Sequence, residues 1–191
     1  MEEPLDRLSV ALAALMRWFD EHELQAAVIG GVGASLRGKP RLTKDIDAVV
    51  VDADAEALVR SGAEFGFTPR IVDAIEFARN TRVLLLRYSP AVVDLDLSLG
   101  MLPFEHEVVE RATLIDAGDV SVRIASAEDL VIMKAVAGRA RDVADIENLI
   151  SANPDLDVER IRHWVREFSS VLETPEMYEK LEVLLKARQR R

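Results

Sequence analysis

Two pairs of aspartates, Asp45/Asp47 in DIDAVVV and Asp94/Asp96 in VVDLDLSL, stand inside strongly apolar runs. Alternate side chains of an extended strand share one face, so each pair presents two carboxylates to the same side. A carboxylate in such a run is costly unless it is paired, hydrogen-bonded or bound to a metal. Two pairs from two strands converging on one place would form an oxygen-rich site for a hard divalent cation such as Mg²⁺, with positions left for water and substrate phosphate. The chain has two further Asp-x-Asp pairs, Asp52/Asp54 and Asp155/Asp157. These lie in polar turns before helical patterns and read as helix caps.

A glycine pair, Gly30-Gly31, closes the apolar run before the first aspartate pair, and Arg37, Lys39, Arg41 and Lys44 lie between the two motifs. Glycines at a strand-to-helix turn supply positive φ; they also let a phosphate approach backbone N–H groups at the helix start. Cations close to a carboxylate metal site would neutralise a triphosphate or hold an RNA backbone, or else form a solvated loop. His22, His106 and His163 fall on predicted helices without partners at metal-ligand spacing and read as surface or packing residues.

These residues need a scaffold. Leu5, Leu8, Leu12, Leu15 and Phe19 recur at steps of three and four, predicting a helix over Pro4 to Glu23. The spacing then predicts a strand over Gln25 to Ile29, a brief helix over Val32 to Leu36, a strand over Asp45 to Val51 and a helix over Asp54 to Phe65. A short helix around Asp73 to Asn80 precedes an antiparallel hairpin of Val83 to Tyr88 with Val92 to Leu99. A helix over Pro103 to Ala112 and a hairpin over Leu114 to Ile124, turning at Gly118-Asp119, complete the strands. Helical patterns follow, with Leu130 to Val136 introduced by a Ser126/Asp129 capping signal, then Asp142 to Ile150, Val158 to Leu172 and Pro175 to Arg188. The fold class expected is α/β (α+β): a mixed sheet flanked by helices over residues 1–125, with a helical C-terminal part over 126–191 packed on it.

Composition narrows the function. The 191 residues carry 34 acidic and 24 basic side chains, a formal charge of -10, with 49% hydrophobic residues and no cysteine. That is too apolar for a disordered chain, and it excludes disulfide frameworks and thiolate chemistry. Met1-Glu2-Glu3-Pro4 has no basic leader pattern and no apolar run spans a bilayer, so a cytoplasmic protein with no membrane partner is expected. The net charge opposes indiscriminate coating of nucleic acid but leaves room for one local cationic cleft. The terminal charge run Lys186, Arg188, Arg190 and Arg191 reads as a solvated helix end.

In order along the chain, Gly30-Gly31, Asp45-Ile46-Asp47 and Asp96 resemble the signature of the DNA polymerase β-like nucleotidyltransferase superfamily. The pattern Arg41-x-Thr43-x-Asp45-Ile46-Asp47 is similar to the AbiEii branch, which includes MenT-like toxins of type IV toxin-antitoxin systems. Glu128 to Lys134 and Arg139-x-x-Asp142-x-x-Asp145-Ile146 resemble that branch's helical segment. Gly31 in place of serine, and Lys44 before the aspartate pair, set the chain apart from the minimal and aminoglycoside-modifying branches.

The resemblance implies a nucleotidyltransferase that moves an NMP from an NTP, such as ATP, to an acceptor hydroxyl. Asp45, Asp47 and Asp96 would hold two Mg²⁺ ions about 3.5–4 Å apart. Family spacing to Pro103-Phe104-Glu105 selects Asp96 over its face-mate Asp94 as third carboxylate and acceptor base. Gly30, Gly31, Arg41, Thr43 and Lys134 would bind the nucleotide, with Lys134 on the phosphates. Asp142 and Asp145 would either face Lys134 or pair with Arg139 and Arg141. The implied acceptor is RNA, the 3′ end of tRNA, with a cognate antitoxin protein as partner. The alternatives are an adenylyltransferase acting on a protein or small molecule, and a non-catalytic nucleotide- or partner-binding module.

Overall fold

The computed structural model describes residues 4–188. Of the sequence features above, Met1-Glu2-Glu3 and Arg190-Arg191 lie outside the described residues. The chain forms two compact units, Met1–Val32 with Leu42–Ala125, and Gly33–Arg41 with Ser126–Arg191.

The first unit is a seven-stranded mixed sheet with helices. In chain order it holds α1 (Pro4–Glu21), β1 (Ala26–Val28), the start of α2 (Gly30–Arg37), β2 (Asp45–Val51), α3 (Ala55–Glu64), β3 (Phe67–Pro69), α4 (Ala74–Thr81), β4 (Val83–Tyr88), β5 (Val93–Gly100), α5 (Pro103–Glu110), β6 (Thr113–Ala117) and β7 (Val120–Ile124). The strand order is β3-β4-β5-β2-β1-β7-β6. Both predicted hairpins form antiparallel pairs, β4 with β5 and β6 with β7. β2 pairs antiparallel with β1 and parallel with β5, so it lies in the middle of the sheet, where its Ile46 and Ala48 to Val51 are buried. That placement explains its near-continuous apolar run.

The core of this unit is aromatic at one end and aliphatic along the strands. Trp18 of α1 stacks on Phe67 with ring centroids 5.4 Å apart, and its indole N–H donates to the Ser61 hydroxyl at 3.0 Å. The hydrogen bond satisfies the one polar atom of a fully buried ring. Phe67 belongs to β3, a three-residue edge strand ending at Pro69 that hydrophobic periodicity does not predict, because three residues carry too little alternation. Boundaries also shift. α1 ends at Glu21 as the chain reverses through Glu23 at φ 50°, and α2 starts at the glycines themselves rather than at Val32.

The second unit holds the end of α2, the following segment to Arg41, and α6 (Ala127–Ala137), α7 (Ala140–Ala152), α8 (Val158–Val171) and α9 (Pro175–Arg188). α6 is buried nearly all round, the pattern of a helix surrounded by others. Its start is capped by Ser126, whose hydroxyl accepts from Asp129 N–H at 3.1 Å, and it stops at Gly138 with φ 61°. Asp129 is wholly buried and its carboxylate receives the Arg160 guanidinium of α8 at 2.7 Å, tying the two helices together. Asp54 and Asp157 cap α3 and α8, as their turn positions predict. Lys186 of the terminal charge run is exposed. No helix among the described residues is long and apolar enough to cross a membrane.

Candidate active site

The parallel pairing of β2 with β5 sets Asp45 opposite Asp94 and Asp47 opposite Asp96. In-register partners point to the same side of a sheet, so all four carboxylates share one face of two neighbouring strands. Ile46, Leu95 and Leu97 point the other way and are buried, which fixes the register: a slip of one residue would bury the carboxylates and expose the core.

The two members of the β5 pair differ in their surroundings. Asp94 has both oxygens taken, Oδ1 by Arg87 Nε at 2.6 Å and Oδ2 by Arg70 Nη1 at 2.8 Å. The Arg87 hydrogen bond above all, with Arg70 adding, holds its carboxyl below the usual carboxylate range. Asp96 is 41% exposed and receives Arg70 Nη2 on Oδ1 at 2.7 Å. Arg87 faces Asp94 directly across the antiparallel β4–β5 pair. Arg70 follows β3, with its backbone N–H donating to the Leu85 carbonyl at 3.0 Å.

The glycine turn abuts Asp47. Gly30 has φ 60°, and any Cβ built there would overlap the Asp47 carboxylate. A glycine is therefore required twice over, by the backbone and by the carboxylate lying across it. Gly31 N–H is directed at Asp47 Oδ2, 3.4 Å away, so the start of α2 faces a negative charge. Thr43 donates its hydroxyl to Asp45 Oδ1 at 3.2 Å and steadies an otherwise exposed carboxylate.

Arg41 and Lys134 meet within the second unit. Arg41 donates from Nε to Asp145 Oδ1 at 2.9 Å and from Nη2 to Asp145 Oδ2 at 3.0 Å. Lys134 Nζ reaches the same Oδ2 at 2.6 Å and Asp142 Oδ1 at 3.4 Å. Arg139 donates to Asp142 at 2.7 Å. Lys134 and Asp145 are each only 5% exposed. Burial alone would push the Asp142 and Asp145 carboxyls up, but the hydrogen bonds from Arg139 to the first and from Arg41 and Lys134 to the second outweigh it and hold both low. Of the two roles open to Asp145, the structure has it facing Lys134, while Asp142 serves both Lys134 and Arg139.

None of the histidines joins either cluster. The His22 ring packs edge-on against Phe65, His106 lies 3.8 Å from Asp52, and His163 meets Trp164 edge-on.

The donor chemistry and register of Asp45, Asp47 and Asp96 fit a hard divalent cation, which prefers carboxylate oxygens. Their side chains nonetheless stand apart. Among the described residues no three His, Cys, Asp or Glu groups are grouped closely enough to hold one ion. At Asp96 the cationic partner is Arg70.

Arg70 and Arg87, which pair with the β5 aspartates, are the residues of this face that the sequence reading does not identify. A signal exists for Arg87: it is the lone charge in the apolar run VLLLRY, two residues before the turn of a predicted hairpin whose other strand carries Asp94. For Arg70 there is none, since its reach to Asp94 and Asp96 depends on the unpredicted β3.

Solved structures share this fold. An antigenic nucleotidyltransferase-like protein from Paracoccidioides brasiliensis matches with TM-score 0.54 and 18% identity, covering 93% of each chain. The antibiotic-resistance factor ANT(2'')-Ia matches with TM-score 0.58 and 18% identity over 90% of this chain and 97% of its own. The same factor in complex with adenylyl-2"-tobramycin gives TM-score 0.54 and 19% identity over 86% and 99%. At these identities the likeness establishes the fold alone. No curated protein sequence matches. The model of one sequence family matches residues 6–188, nearly the whole described chain, and by that match this protein belongs to DUF6036, a family of nucleotidyltransferases of unknown function.

Proposed function

We infer that the protein transfers a nucleotidyl group from an NTP to an acceptor hydroxyl, with Asp45, Asp47 and Asp96 as the reacting face. The observation that carries this reading is the β2–β5 register, which aligns the two aspartate pairs beside the Gly30-Gly31 turn. A chain without chemistry to perform has no reason to keep four carboxylates on one face of adjoining strands.

Asp45, Asp47 and Asp96 are the residues that would hold Mg²⁺, and a bound divalent ion would supply charge neutralisation for the phosphates. The acceptor oxygen attacks the α-phosphorus, the bond from that phosphorus to the bridging oxygen breaks, and pyrophosphate leaves with the electron pair. Asp96 accepts the hydroxyl proton. Asp96 suits this better than Asp94, because both Asp94 oxygens are occupied by guanidinium groups whereas only Oδ1 of Asp96 is. Thr43 orients Asp45, and the Gly30-Gly31 turn gives the nucleotide access to backbone.

For the acceptor, the Arg41-x-Thr43-x-Asp45-Ile46-Asp47 pattern supports RNA, in particular the 3′ end of tRNA, and a toxin role checked by an antitoxin. A second reading, a small-molecule acceptor, is favoured by the charge of -10, which repels a polyanion and attracts a polyamine. Among the fold neighbours, ANT(2'')-Ia is solved in complex with an adenylylated small molecule, adenylyl-2"-tobramycin.

One experiment tests both. The protein is incubated with Mg²⁺ and each α-labelled NTP in turn, together with total tRNA, a panel of aminoglycosides, or cell lysate, alongside the Asp47→Ala variant. Label on RNA that disappears with Asp47→Ala supports the first reading, and label on a small molecule supports the second. The absence of label on any acceptor, with nucleotide binding intact, overturns catalysis in favour of a binding module.

A further inference from the structure

The helical unit holds a cavity of about 470 Å³ among α6, α7 and α9. Close-packed interiors leave few voids larger than a water molecule, so an opening of this size has the dimensions of a small-molecule site. The sequence explains why it stays open. Where α6 passes into α7 the cavity is lined by Ala135, Gly138 and Ala140, whose side chains are too small to fill it. Apolar side chains supply much of the remaining wall. Met177, Leu181 and Leu184 recur at steps of four and three along α9, and Val143 and Ile146 are three apart on α7, so each helix gives one apolar stripe to the cavity. Val143 is 45% exposed, an apolar side chain that the unit leaves partly uncovered.

The charges around this cavity are uneven. Lys134, Arg139 and Lys180 line it against Asp142 and Glu176. Both oxygens of Asp142 are already engaged, Oδ1 by Lys134 Nζ at 3.4 Å and Oδ2 by Arg139 Nε at 2.7 Å. Lys134 is held from the other side by Asp145 at 2.6 Å. Lys180 is different: it is exposed and forms no ion pair among the described residues.

We propose that this cavity is a binding site for a small amphipathic carboxylate, its apolar body on the Val143, Ile146, Met177, Leu181 and Leu184 side chains and its charged end at Lys180. A monoanion matches the one positive charge in excess. A phosphate monoester would bring nearly two negative charges beside Asp142 and Glu176 and fits less well. Every lining residue belongs to the second unit, and the binding requires neither a nucleotide nor an acceptor. A ligand so held bridges α9 to α6 and α7 and stabilises the folded helical unit.

The test is isothermal titration calorimetry of the full-length protein with decanoate, without nucleotide, using decanol and decylammonium as uncharged and cationic counterparts. Decanoate is expected to bind saturably, more tightly than either counterpart, and to raise the thermal unfolding midpoint. Lys180→Gln is expected to weaken decanoate binding about fivefold, the order of one partly exposed ion pair. Lys180→Arg should restore it, and Lys186→Gln, an exposed cation of α9 that does not line the cavity, should leave it unchanged. Leu184→Trp is expected to abolish binding by filling the space, with circular dichroism checking that each variant is folded. Decanol binding as tightly as decanoate, or decylammonium binding more tightly, overturns the carboxylate assignment. Decanoate binding that Lys180→Gln and Leu184→Trp both leave unchanged overturns the site, as does the absence of saturable binding.

Discussion

The acidic face on β2 and β5 and the ionic cluster on α6 and α7 are made from the same residue types, aspartates met by basic side chains, yet their settings are opposite. On the strand face the pairs are partly open to water, with Arg70 shared between Asp94 and Asp96 and Arg87 also on Asp94. Around Lys134 the carboxylates of Asp142 and Asp145 are buried and shared among Lys134, Arg41 and Arg139. Ion pairs at the surface contribute little and exchange readily, whereas breaking a buried pair strands an uncompensated charge. The first arrangement is suited to changing partners, and the second to staying put.

The largest effect that could break this comparison is on stability. Asp145→Ala removes the shared acceptor of Arg41 and Lys134, leaving a buried ammonium with Asp142 alone, and should cost about 3–5 kcal/mol by urea denaturation. A loss below about 1 kcal/mol would place the cluster in the same class as the surface pairs. Acid should act next. Asp94, Asp142 and Asp145 have folded pKa values below their unfolded ones, so their contribution is complete above about pH 4 and is lost as pH falls through the folded values. The urea midpoint should therefore drop steeply below pH 4, and the slope should be shallower in Asp145→Asn than in a variant lacking the Arg87–Asp94 pair. The smallest effect is expected at the strand face itself. Arg87 is 43% exposed, and Arg87→Gln should change stability by less than about 1 kcal/mol, with Asp94 still held by Arg70.

Most elements were legible because their signals are local. The three- and four-residue steps in α1, the turn at Gly118-Asp119 and the caps at Ser126, Asp54 and Asp157 each depend on neighbours within a few residues. β3 escaped because it is three residues long and is stabilised by pairing with β4 rather than by its own pattern. The glycine pair was legible as a turn, but the reason for Gly30 was not: Asp47, far along the chain, lies against it.

The amino-acid sequence by itself determined that Asp45 and Asp47 share a face, that Asp94 and Asp96 share a face, and that a glycine turn precedes the first pair, since strand alternation is a property of the backbone alone. Only the tertiary structure decided that the two pairs lie side by side, because strand order and register follow from how the buried sides of β2 and β5 pack. The same holds for the division of labour between Asp94 and Asp96. Their sequence contexts are nearly equivalent, and what separates them is Arg70 and Arg87, delivered by β3 and β4 from outside the motif.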